Sequence, residues 1–242
     1  DPAKCQLCGA CVEAYPSKAM AFTGKEWTLN QLVKEVLKDA DYYASFDGGV
    51  TVSGGDPLGQ YGFVAEFFRT LQEKGIHTAL DTCGLAPTAA FEAVLPYTDH
   101  ILYDIKILDP DLHRQYTHQS NQVILQNLLD ISDAYIRNAP NPRKLWIRTP
   151  LIPGATATEK NIREIAHFIQ ENLLDVVERW ELCSFNSACN MKYKKMGQPW
   201  AFADTPLMTQ AQIDEIEAVA LGCGIPRDKL VVSGLVAKEE RV

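Results

Sequence analysis

Short segments with strand character alternate with helix-like segments along most of this 242-residue chain. A chain that returns to the same end of a sheet through a helix places its next strand parallel to the last one. The alternation therefore predicts an α/β fold built on one parallel sheet. The predicted strands are 50–53, 77–80, 100–103, 144–147, 181–185 and 230–232, and the predicted helices are 28–43, 61–74, 87–95, 121–137, 159–172 and 210–221.

Polar or glycine-rich clusters follow five successive predicted strands. In a (β/α) barrel the C-terminal ends of the strands converge on one mouth, where binding sites are built. Each cluster alone has an ordinary explanation, since the aspartates could cap helices and the basic side chains could be solvated. Together they predict a pocket for a zwitterionic or polyhydroxylated ligand, in which each charge meets an opposite partner. The clusters are Gly54-Gly55-Asp56, Asp81-Thr82, Asp104 with Lys106, Arg148, and Asn186.

A cysteine run, Cys5-x2-Cys8-x2-Cys11, lies near the start of the sequence. The spacing matches the iron–sulfur run of bacterial ferredoxins, except that Tyr15 replaces the fourth cysteine. Thiolates held close together on one loop suit a [4Fe–4S] cluster, because such clusters need soft ligands. A zinc knuckle and a degenerate loop remain as alternatives, although zinc sites more often pair two Cys-x2-Cys units.

Charge and composition exclude some classes of partner. The formal net charge is −8 and the isoelectric point about 5.2, whereas nucleic acids and anionic membranes attract basic surfaces. No apolar run approaches the ~20 residues of a membrane span, and no export signal is present. We therefore expect a cytoplasmic protein that binds neither nucleic acid nor membranes. In a reducing compartment, its seven cysteines favour metal or cluster ligation over disulfides.

Five ordered motifs resemble those of the glycyl-radical-enzyme activating enzymes, the radical S-adenosylmethionine (SAM) activases related to pyruvate formate-lyase activating enzyme. The resemblance extends over essentially the whole sequence, and the order of the motifs makes it specific. It implies a partial (β/α)6 barrel of the radical SAM type. The motifs are residues 49–58, 81–84, 104–106 and 148–154, and Lys192-Tyr193 followed by Gly197.

The resemblance also implies two regions and a set of ligands. Residues 1–24 would form part of a ferredoxin-like [4Fe–4S] insert held by the cysteine run, and residues 25–242 would form the barrel. No residue is assigned a catalytic role. The implied SAM contacts are Gly54, Gly55, Asp56, Asp81, Lys106, Arg148 and Asn186, and the implied monovalent-cation ligands are Asp81, Thr82 and Asp104.

The reaction that the resemblance implies is one-electron reductive cleavage of SAM by a [4Fe–4S] cluster. The resulting 5′-deoxyadenosyl radical would remove a hydrogen atom from a glycine of a partner glycyl radical enzyme. A flavodoxin or a ferredoxin-type protein would supply the electron. Two alternatives remain. One is a degenerate barrel that transfers electrons or binds a partner without SAM cleavage, and the other is an unrelated barrel enzyme with a zinc knuckle.

Three departures from the family pattern matter. The Cys-x3-Cys-x2-Cys run that holds the SAM-cleaving cluster in the family is absent from the sequence. We therefore expect an N-terminally truncated chain that lacks the first barrel strand and does not cleave SAM. Asp56 stands where the family has glutamate, which keeps the carboxylate on a shorter side chain. Tyr15 and Asn186 stand where cysteine and histidine are common.

Overall fold

The computed structural model describes residues 5–6, 8–14, 21–22, 24–137 and 143–238. A parallel sheet of six strands runs through it, and each strand pairs with its neighbours in sequence. The six predicted strands and the predicted α/β class are confirmed. The strands are β1 (Gly49–Val52), β2 (His77–Thr82), β3 (His100–Asp104), β4 (Lys144–Leu151), β5 (Val177–Ser184) and β6 (Leu230–Gly234).

In the described part of the chain, helices lie before β1 and between successive strands. A capping box at Thr28 begins the helix that starts at Leu29, since the Gln31 backbone N–H donates to the Thr28 hydroxyl and the Thr28 N–H donates back to the Gln31 side chain. The helices are α1 (Ala10–Ala14), α2 (Leu29–Val36), α3 (Ala40–Phe46), α4 (Tyr61–Gln72), α5 (Thr88–Val94), α6 (Pro110–Thr117), α7 (Gln122–Ile131), α8 (Glu159–Asn172), α9 (Cys189–Lys195) and α10 (Gln210–Gly222).

Short 3₁₀ turns and one π-helical segment complete the helical structure. The predicted helix 28–43 is divided, because the 3₁₀ turn Leu37–Asp39 separates α2 from α3. The pattern does not predict α6 and α9, because α6 buries only His113 and α9 buries no residue. Within the described part of the chain, no helix is both long and apolar enough to cross a membrane.

β3 and β4 bury alternate residues, which gives the sheet two different faces. In β4, and in β5 from Trp180 onward, every second side chain is buried, and the Trp180 indole N–H donates to the Thr149 hydroxyl at 3.0 Å. The intervening positions carry charged side chains such as Arg148 and Glu181. The chain therefore packs its apolar core against one face and leaves the other face, with its charges, more open.

β4 extends four residues beyond its predicted end, so that Arg148 lies inside the strand. A charged residue followed by Pro150 suggests a strand end in the sequence, but β4 and β5 stay paired from Leu145 to Leu151. Arg148 is tolerated there because it lies on the more open face, between register-paired Asp104 of β3 and Glu181 of β5. The register thus sets two acidic side chains beside one guanidinium.

The loop after β2 is packed tightly against β3. Gly84 has a φ of +76°, and a Cβ atom added there would lie 1.8 Å from the Tyr103 hydroxyl. Tyr103 cannot move easily, because it is fully buried and its hydroxyl donates to the Ile124 carbonyl at 2.6 Å. The position therefore requires glycine for two separate reasons.

We predict that Gly84→Ala lowers the free energy of unfolding by about 3 kcal/mol or more, since strain at positive φ adds to a clash in the core. Gly75→Ala is the matched control, because Gly75 has a φ of +72° but no atom within 4 Å of an added Cβ. We expect that variant to lose only about 1 kcal/mol. Urea denaturation measures both, and equal losses would contradict the steric argument.

Candidate functional site

A cavity of about 370 Å³ opens at the C-terminal ends of β1, β2 and β3. Parallel strands bring these ends to one edge, as the sequence pattern predicts. Most residues that line the cavity are predicted site residues, and Ser53 and Cys83 are the two that were not predicted. The lining residues are Ser53, Gly54, Gly55, Asp56, Asp81, Thr82, Cys83, Asp104 and Lys106.

The glycine turn after β1 exposes its backbone to the cavity. Gly54 has a φ of +98°, a conformation that favours glycine. A Cβ added at Gly54 or Gly55 would meet no atom within 4 Å, so packing does not explain the absence of side chains. The turn therefore leaves open space over the main chain, into which a ligand can approach.

Asp56 joins the turn after β1 to the end of β2. Its Oδ1 accepts a hydrogen bond from the Leu58 backbone N–H at 3.0 Å, which caps the 3₁₀ turn Pro57–Gln60. Its Oδ2 accepts from the Thr82 hydroxyl at 2.8 Å and from the Cys83 backbone N–H at 2.9 Å. Both carboxylate oxygens are thus engaged by the chain itself.

Asp81 and Asp104 each have a cationic partner. The Asp81 Oδ2 accepts from the Ser53 hydroxyl at 3.0 Å and lies 3.0 Å from Nη1 of Arg148. The Asp104 Oδ2 lies 3.0 Å from Nζ of Lys106. The two aspartate side chains remain 21% and 26% exposed, so ion pairing fixes them without closing them off from a ligand.

Arg148 balances the charge on the open face of the sheet. Its Nε lies 3.8 Å from Oε2 of Glu181, in addition to the contact with Asp81. Burial alone would lower the pKa of Arg148, but the negative charges of Asp81 and Asp104 help to raise it above its usual value. Sequence reasoning missed Glu181, because β5 also carries Glu178 and Arg179 and its pattern does not set Glu181 apart.

Cys83 and Ser53 are the cavity residues that sequence reasoning left without a role. Burial, reinforced by the nearby Asp56 carboxylate, raises the pKa of the Cys83 thiol, which therefore stays protonated near neutral pH. Ser53 lies at the end of the first predicted strand, but only the folded structure shows its hydrogen bond to Asp81.

Several predicted site residues lie elsewhere. Arg148 reaches the cavity only through Asp81. Asn186 is exposed, and its Oδ1 accepts from the Ala188 N–H at 3.0 Å in the loop after β5. Tyr15 lies outside the described residues. Cys5, Cys8 and Cys11 are exposed, free cysteines, and among the described residues no three His, Cys, Asp or Glu side chains are grouped to hold a metal ion.

Comparisons with known proteins agree with the fold and the motifs. The family model for the radical SAM superfamily matches residues 5–169. The (2S)-3-sulfopropanediol dehydratase activating enzyme of Klebsiella oxytoca is 35% identical over 89% of this chain and 66% of its own length. The indoleacetate decarboxylase activating enzyme of Tractidigestivibacter scatoligenes is 32% identical over 92% of this chain and 70% of its own length.

A solved structure supports the same assignment. A domain of a pyruvate-formate lyase-activating enzyme from Bacteroides vulgatus matches 77% of this chain and 99% of its own, with a TM-score of 0.59 and 25% identity. The chain belongs to the radical SAM superfamily and, within it, to the glycyl-radical-enzyme activating enzymes. It spans 66% of the length of the Klebsiella relative, so it corresponds to part of that protein.

We predict that Arg148→Gln lowers the free energy of unfolding by about 2 kcal/mol at pH 8, because it leaves Asp81 and Glu181 without their shared cation. The loss should be smaller in a Glu181→Gln background, where one of the two carboxylates is already neutral. Urea denaturation of Arg148→Gln in both backgrounds measures this.

Arg143→Gln is the matched control for that comparison. The guanidinium of Arg143 donates to the backbone carbonyls of Pro96, Thr98 and Tyr135, so its loss should cost the same in both backgrounds. If Arg148→Gln also costs the same in both backgrounds, Arg148 does not act by balancing carboxylates.

Proposed function

We propose that the cavity at the ends of β1, β2 and β3 binds SAM, and that the protein takes part in activating a glycyl radical enzyme. The charge of the cavity supports this proposal. Three carboxylates, those of Asp56, Asp81 and Asp104, line it together with one ammonium group, that of Lys106. SAM carries an ammonium, a sulfonium and a carboxylate, so its net positive charge suits walls with excess negative charge.

Each part of the cavity would meet one part of the ligand. The open turn at Gly54 and Gly55 lets the ligand reach the main chain, whose carbonyls can accept from its ammonium group. Asp81 and Asp104 offer the negative charge for the ammonium and sulfonium groups. Lys106 can bind the ligand carboxylate through a charge-assisted hydrogen bond. Arg148 would then support SAM binding by holding Asp81, and contact between Asn186 and SAM stays a prediction.

SAM cleavage is not assigned to residues of this chain. In the family, a [4Fe–4S] cluster held by a Cys-x3-Cys-x2-Cys run supplies the electron for that cleavage, and this sequence contains no such run. We propose that residues 25–242 contribute SAM binding and that residues 1–24 contribute a second [4Fe–4S] cluster, ligated by Cys5, Cys8 and Cys11. Iron and sulfide analysis of anaerobically reconstituted protein, against its triple serine variant, tests the ligation.

The proposed partner is a glycyl radical enzyme. The relatives named above are activating enzymes of a dehydratase and of a decarboxylase, which supports a protein substrate of that kind. A flavodoxin or ferredoxin-type electron donor and a cytoplasmic location belong to the same proposal. Electron transfer or partner binding without SAM binding is the competing function, and it predicts a cavity that does not take up SAM.

A monovalent cation at Asp81, Thr82 and Asp104 is the further part of the proposal. The cation would offset the negative charge of Asp81 and Asp104. In the alternative arrangement, ion pairs with lysine and arginine side chains offset that charge without a cation. Lys106 already pairs with Asp104, and Arg148 with Asp81. The two arrangements differ in whether SAM affinity depends on the alkali metal supplied.

We predict that the chain binds SAM measurably by calorimetry, and that Asp104→Asn weakens binding about tenfold through loss of one charged contact. If a cation is held, affinity in potassium, sodium and tetramethylammonium at constant ionic strength will differ, and Asp104→Asn will remove the difference. Equal affinity in all three excludes the cation and leaves the ion pairs.

Asp109→Asn is the control for the charge change. Asp109 pairs with Lys160 and lies outside the lining of the cavity, so this variant should bind SAM as the wild type does. A wild-type chain that shows no SAM binding under any of these conditions would contradict the proposed function.

A further inference from the structure

We propose that Asp56 is a positioning residue that fastens the glycine turn after β1 to the end of β2, and that it does not bind the ammonium group of SAM. The proposal concerns the SAM site and therefore rests on the proposed function. The fastening itself, however, belongs to the ligand-free chain and can be measured without any ligand.

The carboxylate of Asp56 has little capacity left for a ligand. A carboxylate accepts about four hydrogen bonds. Three donors of the chain already use it, namely the backbone N–H groups of Leu58 and Cys83 and the hydroxyl of Thr82. The donors approach both oxygens and come from two different segments, so they fix the plane of the carboxylate as well as its position.

The donors in turn depend on Asp56. Thr82 is only 2% exposed, and its oxygen accepts from the Gly84 N–H at 3.0 Å, so its single proton is free to be donated to Asp56. A buried hydroxyl or amide that loses its acceptor is costly. The bonds therefore form a chain from Gly84 through Thr82 to Asp56, which ends on a charged acceptor.

This network replaces strand pairing at the edge of the cavity. The ladder between β1 and β2 ends at Val52 and Leu80. Beyond that point, in the described structure, the hydrogen bonds that join residues 53–56 to residues 81–83 come from the side chains of Ser53 and Asp56. Asp56 thus sets the distance between the glycine turn and Asp81, which form two walls of the cavity.

Side-chain length separates the two possible roles. A glutamate at this position would place its carboxylate about 1.5 Å further from the main chain. Hydrogen bonds of 2.8 to 3.0 Å to three fixed donors cannot all survive that displacement. If Asp56 instead reached into the cavity for an ammonium group, the longer side chain of glutamate would serve at least as well.

The ligand experiment uses S-adenosylhomocysteine and its analogue in which hydrogen replaces the α-amino group. We expect Asp56→Asn to weaken the binding of both by the same factor, about tenfold, because it disturbs the cavity wall and not one ligand group. Asp56→Glu should not restore affinity. The proposal is overturned if Asp56→Asn weakens only the ligand with the amino group, or if Asp56→Glu binds it as tightly as the wild type.

The second experiment follows amide hydrogen exchange without ligand. In Asp56→Asn, and also in Thr82→Val if the first variant folds poorly, we expect the Cys83 amide to exchange at least about tenfold faster. Thr82→Ser keeps the hydroxyl and should exchange as the wild type does. Thr209→Ala is the control, because it removes an N-cap bond of α10 away from the cavity and should leave Cys83 unchanged.

The two experiments fail in different ways. A wild-type chain that binds neither nucleoside contradicts the SAM site, while the exchange rate of Cys83 still decides whether Asp56 fastens the turn. Unchanged exchange at Cys83 in Asp56→Asn overturns the fastening role, whatever the chain binds.

Discussion

Carboxylates at the ends of neighbouring parallel strands repel one another, and the cavity depends on side chains that offset this repulsion. The register that forms the sheet also brings Asp104, Arg148 and Glu181 side by side. Arg148 connects Asp81 with Glu181, and Lys106 holds Asp104. The cations hold the carboxylates in place and leave them partly exposed, so a net negative cavity survives in the folded chain.

The sequence predicted the features that depend on local pattern. The six strands and the gathering of polar strand ends follow from periodicity and from the geometry of parallel sheets. Helix α8 begins and ends where its pattern predicts, because its apolar face is continuous and Thr158 caps it. Seven predicted site residues line one cavity because all of them lie at, or just after, the C-terminal ends of β1, β2 and β3.

Features that depend on contacts between distant segments were not predictable. Arg148 resembles a strand end in the sequence, yet pairing with β5 continues past it to Leu151. The role of Glu181 is evident only from its contact with the Arg148 guanidinium on the neighbouring strand. In the glycine-rich motif, Asp56 looks like a carboxylate that is free to bind a ligand. Only the fold shows that the Thr82 hydroxyl and the Cys83 N–H already donate to it. Family membership identifies the motif but not how this chain uses its shorter carboxylate.

A crystal structure of the chain with S-adenosylhomocysteine tests the central claim most directly. We expect the amino-acid end of the ligand in the cavity, beside the glycine turn, Asp81 and Lys106, with Asp56 still bonded to Thr82 and Cys83. A ligand bound elsewhere would contradict the SAM site. A ligand in the cavity whose ammonium group has drawn Asp56 away from Thr82 would contradict the fastening role.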